Sequence, residues 1–283
     1  MQDSALTQLV LPLLIVLIMF GMGLSLVVAD FARVIKMPKA ILAGLAGQIL
    51  LMPLLAFAVA LFFELSAELA IGLMILAACP GGTMSNVICH IAKANLALSV
   101  TLTALSTLIC VFTTPVIIAL AVAHFSQTQI TDFSIVSSTV ALIVITLLPL
   151  SLGLFIRHKF STTSLYLVPY FRRFSAVFVV LMIIAICIEE RNTLLSSFSS
   201  VFMATLALNL LAIGIGLLLG WLTRLSAIDG VTLGIEVGIQ NAALAIVIGV
   251  SLLKHPDYAI SAGVYGVTMY IGSLLLAMLA KKD

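Results

Sequence analysis

The sequence predicts an all-α polytopic membrane protein with about nine transmembrane helices. They form an inverted repeat in which two discontinuous helices cross. Three observations predict it. Hydrophobic residues make up 63% of the 283 positions and charged residues 8%, with a mean hydropathy of +1.32. A soluble domain is roughly half apolar and about a quarter charged, so soluble globular, nucleic-acid-binding, disordered and coiled-coil classes are excluded. The apolar runs are continuous and about 20 residues long, as bilayer-crossing helices require and β-barrel strands do not. Two runs are broken at mid-span by glycine and polar residues, at corresponding places in the two halves of the chain.

The spans are expected at roughly 7–28, 39–62, 68–93, 96–123, 133–156, 171–188, 200–222, 229–253 and 258–280. Charge sorts across them. Arg33, Lys36 and Lys39 follow span one, and Lys93 follows span three. Arg157, Lys159, Arg172 and Arg173 follow span five, Arg224 follows span seven, and Lys281 and Lys282 end the chain. Only Arg191 and Lys254 fall on the other side, beside Asp3, Glu64, Glu68, Asp132, Glu189, Glu190 and Asp257. The positive-inside rule then puts the N-terminus outside and the C-terminus in the cytoplasm, as expected of a cell (inner) membrane protein. Span one carries Asp3, lacks a positive n-region and exceeds an h-region in length. It is therefore expected to remain a span, although Val27-Val28-Ala29 resembles a cleavage site. The connections near 124–132 and 157–170 are too short to fold alone. Cys79, Cys89, Cys110 and Cys187 have no metal or redox spacing and read as small apolar residues.

Span three contains Cys79-Pro80-Gly81-Gly82-Thr83-Met84-Ser85-Asn86. Proline removes a backbone donor and glycine adds freedom, so the helix is expected to unwind there. A proline kink alone does not call for Thr83, Ser85 and Asn86 beside it. Unwound backbone at membrane depth is tolerated only where protein buries it or it lines a cavity. Span eight contains Gly234-Ile235-Glu236-Val237-Gly238-Ile239-Gln240-Asn241. Glu236 is an ionisable group inside a span, at an insertion cost of roughly 2.5–3.5 kcal/mol. No other span offers a Lys or Arg at membrane depth, so the carboxylate is expected to be protonated or to hold a cation. Spans one to four match spans six to nine in reverse orientation, with span five left over. Discontinuous helices at matching places are the sequence pointer to a secondary transporter's midplane site. The chain then reads as a single membrane transporter domain over 1–283, with repeats at roughly 7–123 and 133–280. Span four adds Ser99, Thr103 and Ser106 on one helical face, and span two adds Gln48 before Pro53. Gln48, Ser85, Asn86, Ser99, Thr103, Glu236 and Gln240 are hard oxygen donors with a single carboxylate among them, which suits a monovalent ion such as Na⁺.

At these residues the sequence resembles the bile acid:sodium symporter family, in a bacterial, nine-span form. The matching segments are Cys79 to Asn86, Asn95-Leu96-Ala97-Leu98-Ser99-Val100, and Ile235 to Asn241. Met19-Phe20-Gly21-Met22-Gly23-Leu24 looks similar as well, and the likeness covers nearly the whole chain. The resemblance implies a core domain moving against a panel domain, with two sodium sites. One uses Ser85, Asn86, Ser99, Thr103 and Glu236. The other uses Gln48, Glu236, Gln240 and the backbone carbonyls of Val237 and Ile239. Thr83 and Asn241 are implied to face the substrate. It also implies that this chain starts at the second helix of ten-span relatives, which accounts for the unpaired span five. Ala242 and Ala243 follow the Gln-Asn pair, and the last span lacks a Trp-His-Asn cluster. A keto acid, hydroxy acid or pantoate is therefore at least as good a candidate as a bile acid.

The expected function is a sodium-coupled symporter importing an organic anion by alternating access. A proton-coupled or efflux carrier on the same fold is the alternative. The expected partners are that anion, sodium ions and the lipid bilayer; nothing calls for nucleic acid or an obligatory protein partner. A channel would need a continuous polar lining. An enzyme would need a nucleophile with its base or a metal cluster, whereas His90, His124, His158 and His255 all fall near span ends.

Overall fold

The computed structural model describes residues 10–126 and 134–281. Asp3, Asp132, Lys282 and most of the 124–132 connection lie outside the described residues. The elements in order are α1 (Leu11–Ser25), α2 (Val28–Lys36), α3 (Pro38–Phe62), α4 (Ala67–Ala78), α5 (Met84–Ile91) and α6 (Leu96–Phe125). The second half holds α7 (Ile135–Lys159), α8 (Ser161–Glu189), α9 (Arg191–Leu222), α10 (Ala227–Gly238), α11 (Ala242–Leu252) and α12 (Ala259–Ala280). Six of these rods are long and apolar enough to cross a bilayer. Adding α1 and the interrupted pairs α4/α5 and α10/α11 accounts for nine segments among the described residues. The protein is therefore a multi-pass α-helical membrane protein.

Two stretches expected as connections are helical. Residues after span one form α2, bent 64° from α1 at an extended Leu26-Val27 link. Asp30 causes the restart: its carboxylate accepts the Val27 N–H at 2.8 Å and pairs with Arg33 one turn on. Such a side chain satisfies a donor that a new helix would leave orphaned. The polar stretch 157–170 is mostly the start of α8, which begins at Ser161 directly after α7 ends at Lys159. Apolar length marks where a helix meets lipid, not where its hydrogen bonds stop.

The rods pack as two layers. Helix α1 packs against α7 and α8, while α9 packs against α10 and α12, and α4 against α6. Backbones meet at glycine in both layers. A side chain at Gly23 would strike the Leu150 carbonyl, and one at Gly216 would lie 2.6 Å from Gly234 Cα. Small residues at such crossings let membrane helices approach closely. In α3 and α7, i→i+5 turns at Gly47–Leu51 and Ile143–Leu147 precede Pro53 and Pro149. The wider turn relieves the clash between a proline ring and the preceding carbonyl. In α3 it also carries Gln48 inward.

The loops before α4 and α10 repeat each other. Leu65-Ser66-Ala67 and Leu225-Ser226-Ala227 follow Glu64 (φ 49°) and Arg224 (φ 55°), both left-handed. Leu65 N–H donates to Ala60 O at 3.1 Å and Leu225 N–H to Gly220 O at 3.0 Å, closing the preceding helix in the same way. Lys93 (φ 53°) and Lys254 (φ 58°) do likewise after α5 and α11.

Gly216→Ala should lower stability by about 1–3 kcal/mol through overpacking. Gly214→Ala, with nothing within 4 Å of its added methyl, should not. Thermal denaturation in detergent compares them.

Candidate functional site

Helices α4 and α10 each run 12 residues and stop in the middle of the protein, at Ala78 and Gly238. Stopping a helix inside a membrane protein frees carbonyls and amides that must find partners. The two breaks supply one another. Gly81 and Gln240 form an antiparallel bridge. Gly82 N–H donates to Ile239 O at 3.0 Å, and Asn241 N–H donates to Pro80 O at 3.0 Å. Glycine is required by space: a side chain at Gly82 would lie 2.7 Å from Gln240 O, and one at Gly81 would lie 2.9 Å from Glu236 Oε1. The remaining carbonyls are capped by the packed helices. Thr114 of α6 donates to Ala78 O at 2.6 Å. Asn209 Nδ2 of α9 and the Tyr265 hydroxyl of α12 both donate to Gly238 O, at 2.8 and 2.9 Å.

The predicted donor residues gather in two clusters on this crossing. In the first, the Ser99 hydroxyl donates to Glu236 Oε2 at 2.7 Å, and Thr103 donates to Glu236 Oε1. Ser99 Oγ also lies 2.9 Å from Asn86 Oδ1, and Ser85 Oγ lies 3.5 Å from Ser99 and 3.4 Å from Thr103. Glu236 is 2% exposed, and among the described residues no Lys or Arg pairs with it. Acceptors outnumber protons here: Ser99 has one hydrogen between Asn86 and Glu236, and Thr103 one between Glu236 and the Ser99 carbonyl. Ser106 lies apart, bonded to the Thr103 carbonyl at 3.1 Å.

The second cluster joins Gln48 and Gln240. Gln48 Nε2 donates to Gln240 Oε1 at 2.7 Å and to Cys79 O at 3.1 Å. Gln240 Nε2 donates to Val237 O at 2.9 Å and lies 3.3 Å from Gln48 Oε1. The Val237 and Ile239 carbonyls thus already hold the Gln240 amide and the Gly82 N–H.

Thr83 and Asn241 line a cavity of about 380 Å³ beside the crossing. It is closed by α1 (Ile18, Met19) and by α8 and α12, so it lies between the two layers. Helices α5 and α11 begin at this wall, and Asn241 Oδ1 caps α11 by accepting the Leu244 N–H at 3.0 Å.

Sequence reasoning overlooked Thr114, Asn209, Tyr265 and the ties that hold α10 to α6. Asn95 Nδ2 donates to Asp229 Oδ1 at 2.8 Å, and Asn95 N–H donates to Thr232 Oγ1 at 2.9 Å. Asn209 carried a usable signal, an isolated amide within an apolar span. Thr114 carried none, since such a hydroxyl ordinarily bonds within its own helix, and Tyr265 carried none because the carbonyl it meets lies on another helix.

Two interrupted helices crossing around a buried carboxylate, beside a cavity between two helical layers, are the architecture of a secondary transporter. Residues 12–197 match the Sodium Bile acid symporter family, and the chain belongs to it. The family is one of transporters, not enzymes. The chain is 32% identical over 271 residues to an uncharacterized sodium-dependent transporter, YocS, of Bacillus subtilis (strain 168), covering 94% of this chain and 81% of that one. It is 30% identical over 258 residues to a probable sodium/metabolite cotransporter, BASS1, of Arabidopsis thaliana chloroplasts, covering 91% of this chain and 63% of the relative. The human ileal sodium/bile acid cotransporter matches at 32% over 163 residues, 55% of this chain and 44% of that protein.

Thr114→Val and Tyr265→Phe each remove one hydroxyl from a half-helix carbonyl. Each should cost about 0.5–1.5 kcal/mol in thermal unfolding, with Tyr265→Phe the milder because Asn209 still caps Gly238.

Proposed function

We propose that this protein is a sodium-coupled secondary active symporter that imports a small organic anion by alternating access. One observation carries the reading: Glu236 is a carboxylate buried in a membrane helix, ringed by hydroxyl and carbonyl oxygens, without a basic partner among the described residues. An unpaired buried charge costs several kcal/mol. A cation among proton-poor oxygens removes that cost, and hard oxygen donors with one carboxylate favour Na⁺ over divalent ions. The relatives' printed names, all of which contain sodium, support this choice.

Two ions are proposed. One sits among Ser85, Asn86, Ser99, Thr103 and Glu236. The other is held by Gln48, Gln240, Glu236 and the Val237 and Ile239 carbonyls. The second requires the Gln48 and Gln240 amides, now bonded to each other, to turn their oxygens toward the ion. Two sodium ions beside one carboxylate leave one positive charge, which an organic anion neutralises. Thr83 and Asn241 would hold that anion where α5 and α11 begin, with helix dipoles favouring negative charge. Sodium thereby orders the crossing and completes the substrate site.

Alternating access follows if α1, α7 and α8 shift as a panel against the remaining helices. The matched left-handed loops support the proposed repeats at roughly 7–123 and 133–280. The charge distribution supports an outside N-terminus and a cytoplasmic C-terminus in a bacterial inner membrane.

Glu236→Ala and Gln240→Ala should abolish sodium-dependent uptake in proteoliposomes while the proteins still insert and purify as monodisperse species. Sodium at about 100 times its Kd should stabilise the wild type by about 2.7 kcal/mol relative to choline, and Glu236→Ala should lose that shift. Uptake driven by a pH jump without sodium would assign Glu236 a proton instead, and net outward flux would make the protein an exporter.

A further inference from the structure

We propose that Arg172 on α8 binds the carboxylate of the transported anion, so that the substrate is clasped between α8 and the crossing. This rests on the transport reading above and adds its anion-recognising group.

Arg172 lines the 380 Å³ cavity together with Thr83 and Asn241. It also lines a smaller adjoining cavity of about 40 Å³ with Thr83, Asn86 and Ser175. Neither wall contains an Asp or Glu. Among the described residues Arg172 has no hydrogen-bond or ion-pair partner. Arg172 is exposed at the flank of the apolar stretch, so its free guanidinium reaches the mouth of the cavity without a protein partner. An unpaired guanidinium facing an acid-free cavity is the complement of an anion. Its fork of donors fits a carboxylate in bidentate fashion. Ser175 lies on the same face one turn further on and adds a hydroxyl to the same wall.

The wall also sets the ligand's shape. Beyond Ser175 the α8 face is Ala176, Val179, Val180 and Ile183, opposite Gly266 and Val267 of α12. At ~1.5 Å per residue, Arg172 and Ile183 stand about 16 Å apart along the helix. The substrate class is thus an amphipathic monocarboxylate, with its charged end at Arg172 and its apolar body along the deeper wall. Because α8 belongs to one layer and Thr83 and Asn241 to the other, a bound carboxylate bridges the two bodies whose relative movement would carry it.

Arg173 supplies the control. Both arginines are exposed, but Arg173 lines neither cavity, as a basic residue serving only membrane orientation would. Wild type, Arg172→Lys, Arg172→Gln and Arg173→Gln are reconstituted. Sodium-driven uptake of pantoate, 2-oxoisovalerate and cholate is measured, each beside its neutral amide. For the carboxylate that the wild type accumulates, Arg172→Gln should raise KM roughly 10- to 100-fold and erase the preference over the amide. Arg172→Lys should fall between, and Arg173→Gln should match the wild type. The sodium-induced thermal shift should persist in all four, which separates ligand recognition from folding. An unchanged KM and unchanged acid-over-amide preference in Arg172→Gln overturn the proposal and leave sodium coupling standing. A wild type that responds to sodium yet accumulates no carboxylate also overturns it. A wild type with neither sodium response nor uptake overturns the transport reading as well.

Discussion

Two helices that stop inside a membrane protein cannot leave their backbone ends bare, and this structure is organised around meeting that demand. The breaks after Ala78 and Gly238 are laid across each other, so that Gly82 and Asn241 donate their amides to Ile239 and Pro80. The carbonyls this exchange misses are taken by Thr114, Asn209 and Tyr265 from three surrounding helices. Each partner comes from a different rod, so the crossing exists only when those rods are packed. The close glycine contacts in both layers serve the same end, because they set how near the rods can come.

The chemistry of the site follows from that geometry. Crossing the breaks brings Glu236 under Gly81 and against the hydroxyls of Ser99 and Thr103, deep in the protein and without a basic partner among the described residues. A carboxylate so placed makes the local packing responsive to whatever cation neutralises it. Gln48 and Gln240 face each other across the second half of the crossing and close on themselves in the structure. On the proposed reading, an ion that turns those amides frees the Val237 carbonyl from Gln240, next to Asn241 at the edge of the cavity. The proposed ion and anion sites would then share one piece of backbone, through which binding at one can be coupled to binding at the other.

Much of this was legible in the residues. Helix number, the two interruptions and the oxygen donors that include Glu236 and Gln240 all carry local signals: apolar length, Pro-Gly-Gly, and polar groups where lipid would penalise them; their division into two sets came only from the family resemblance. The identities that escaped are those whose partner lies on another rod. Thr114 and Tyr265 look like ordinary hydroxyls until the helix ends they cap are in place. Arg172 reads as one more basic flank residue until α8 extends back to Ser161 and turns that side chain to the cavity. The restart at Asp30 was missed for a related reason, since a single capping carboxylate outweighs a polar composition only when the chain bends there.

By itself the sequence determined that the chain lives in a bilayer, where its helices break, and which carboxylate is stranded inside, because the cost of polar groups in hydrocarbon leaves a mark at each position separately. Tertiary structure alone decided that the breaks pair with each other, that Glu236 meets Ser99 and Thr103, and that a cavity opens between the layers beside Arg172. Those facts depend on distances between segments far apart in the chain, and such distances are set by packing many rods at once rather than by any local pattern.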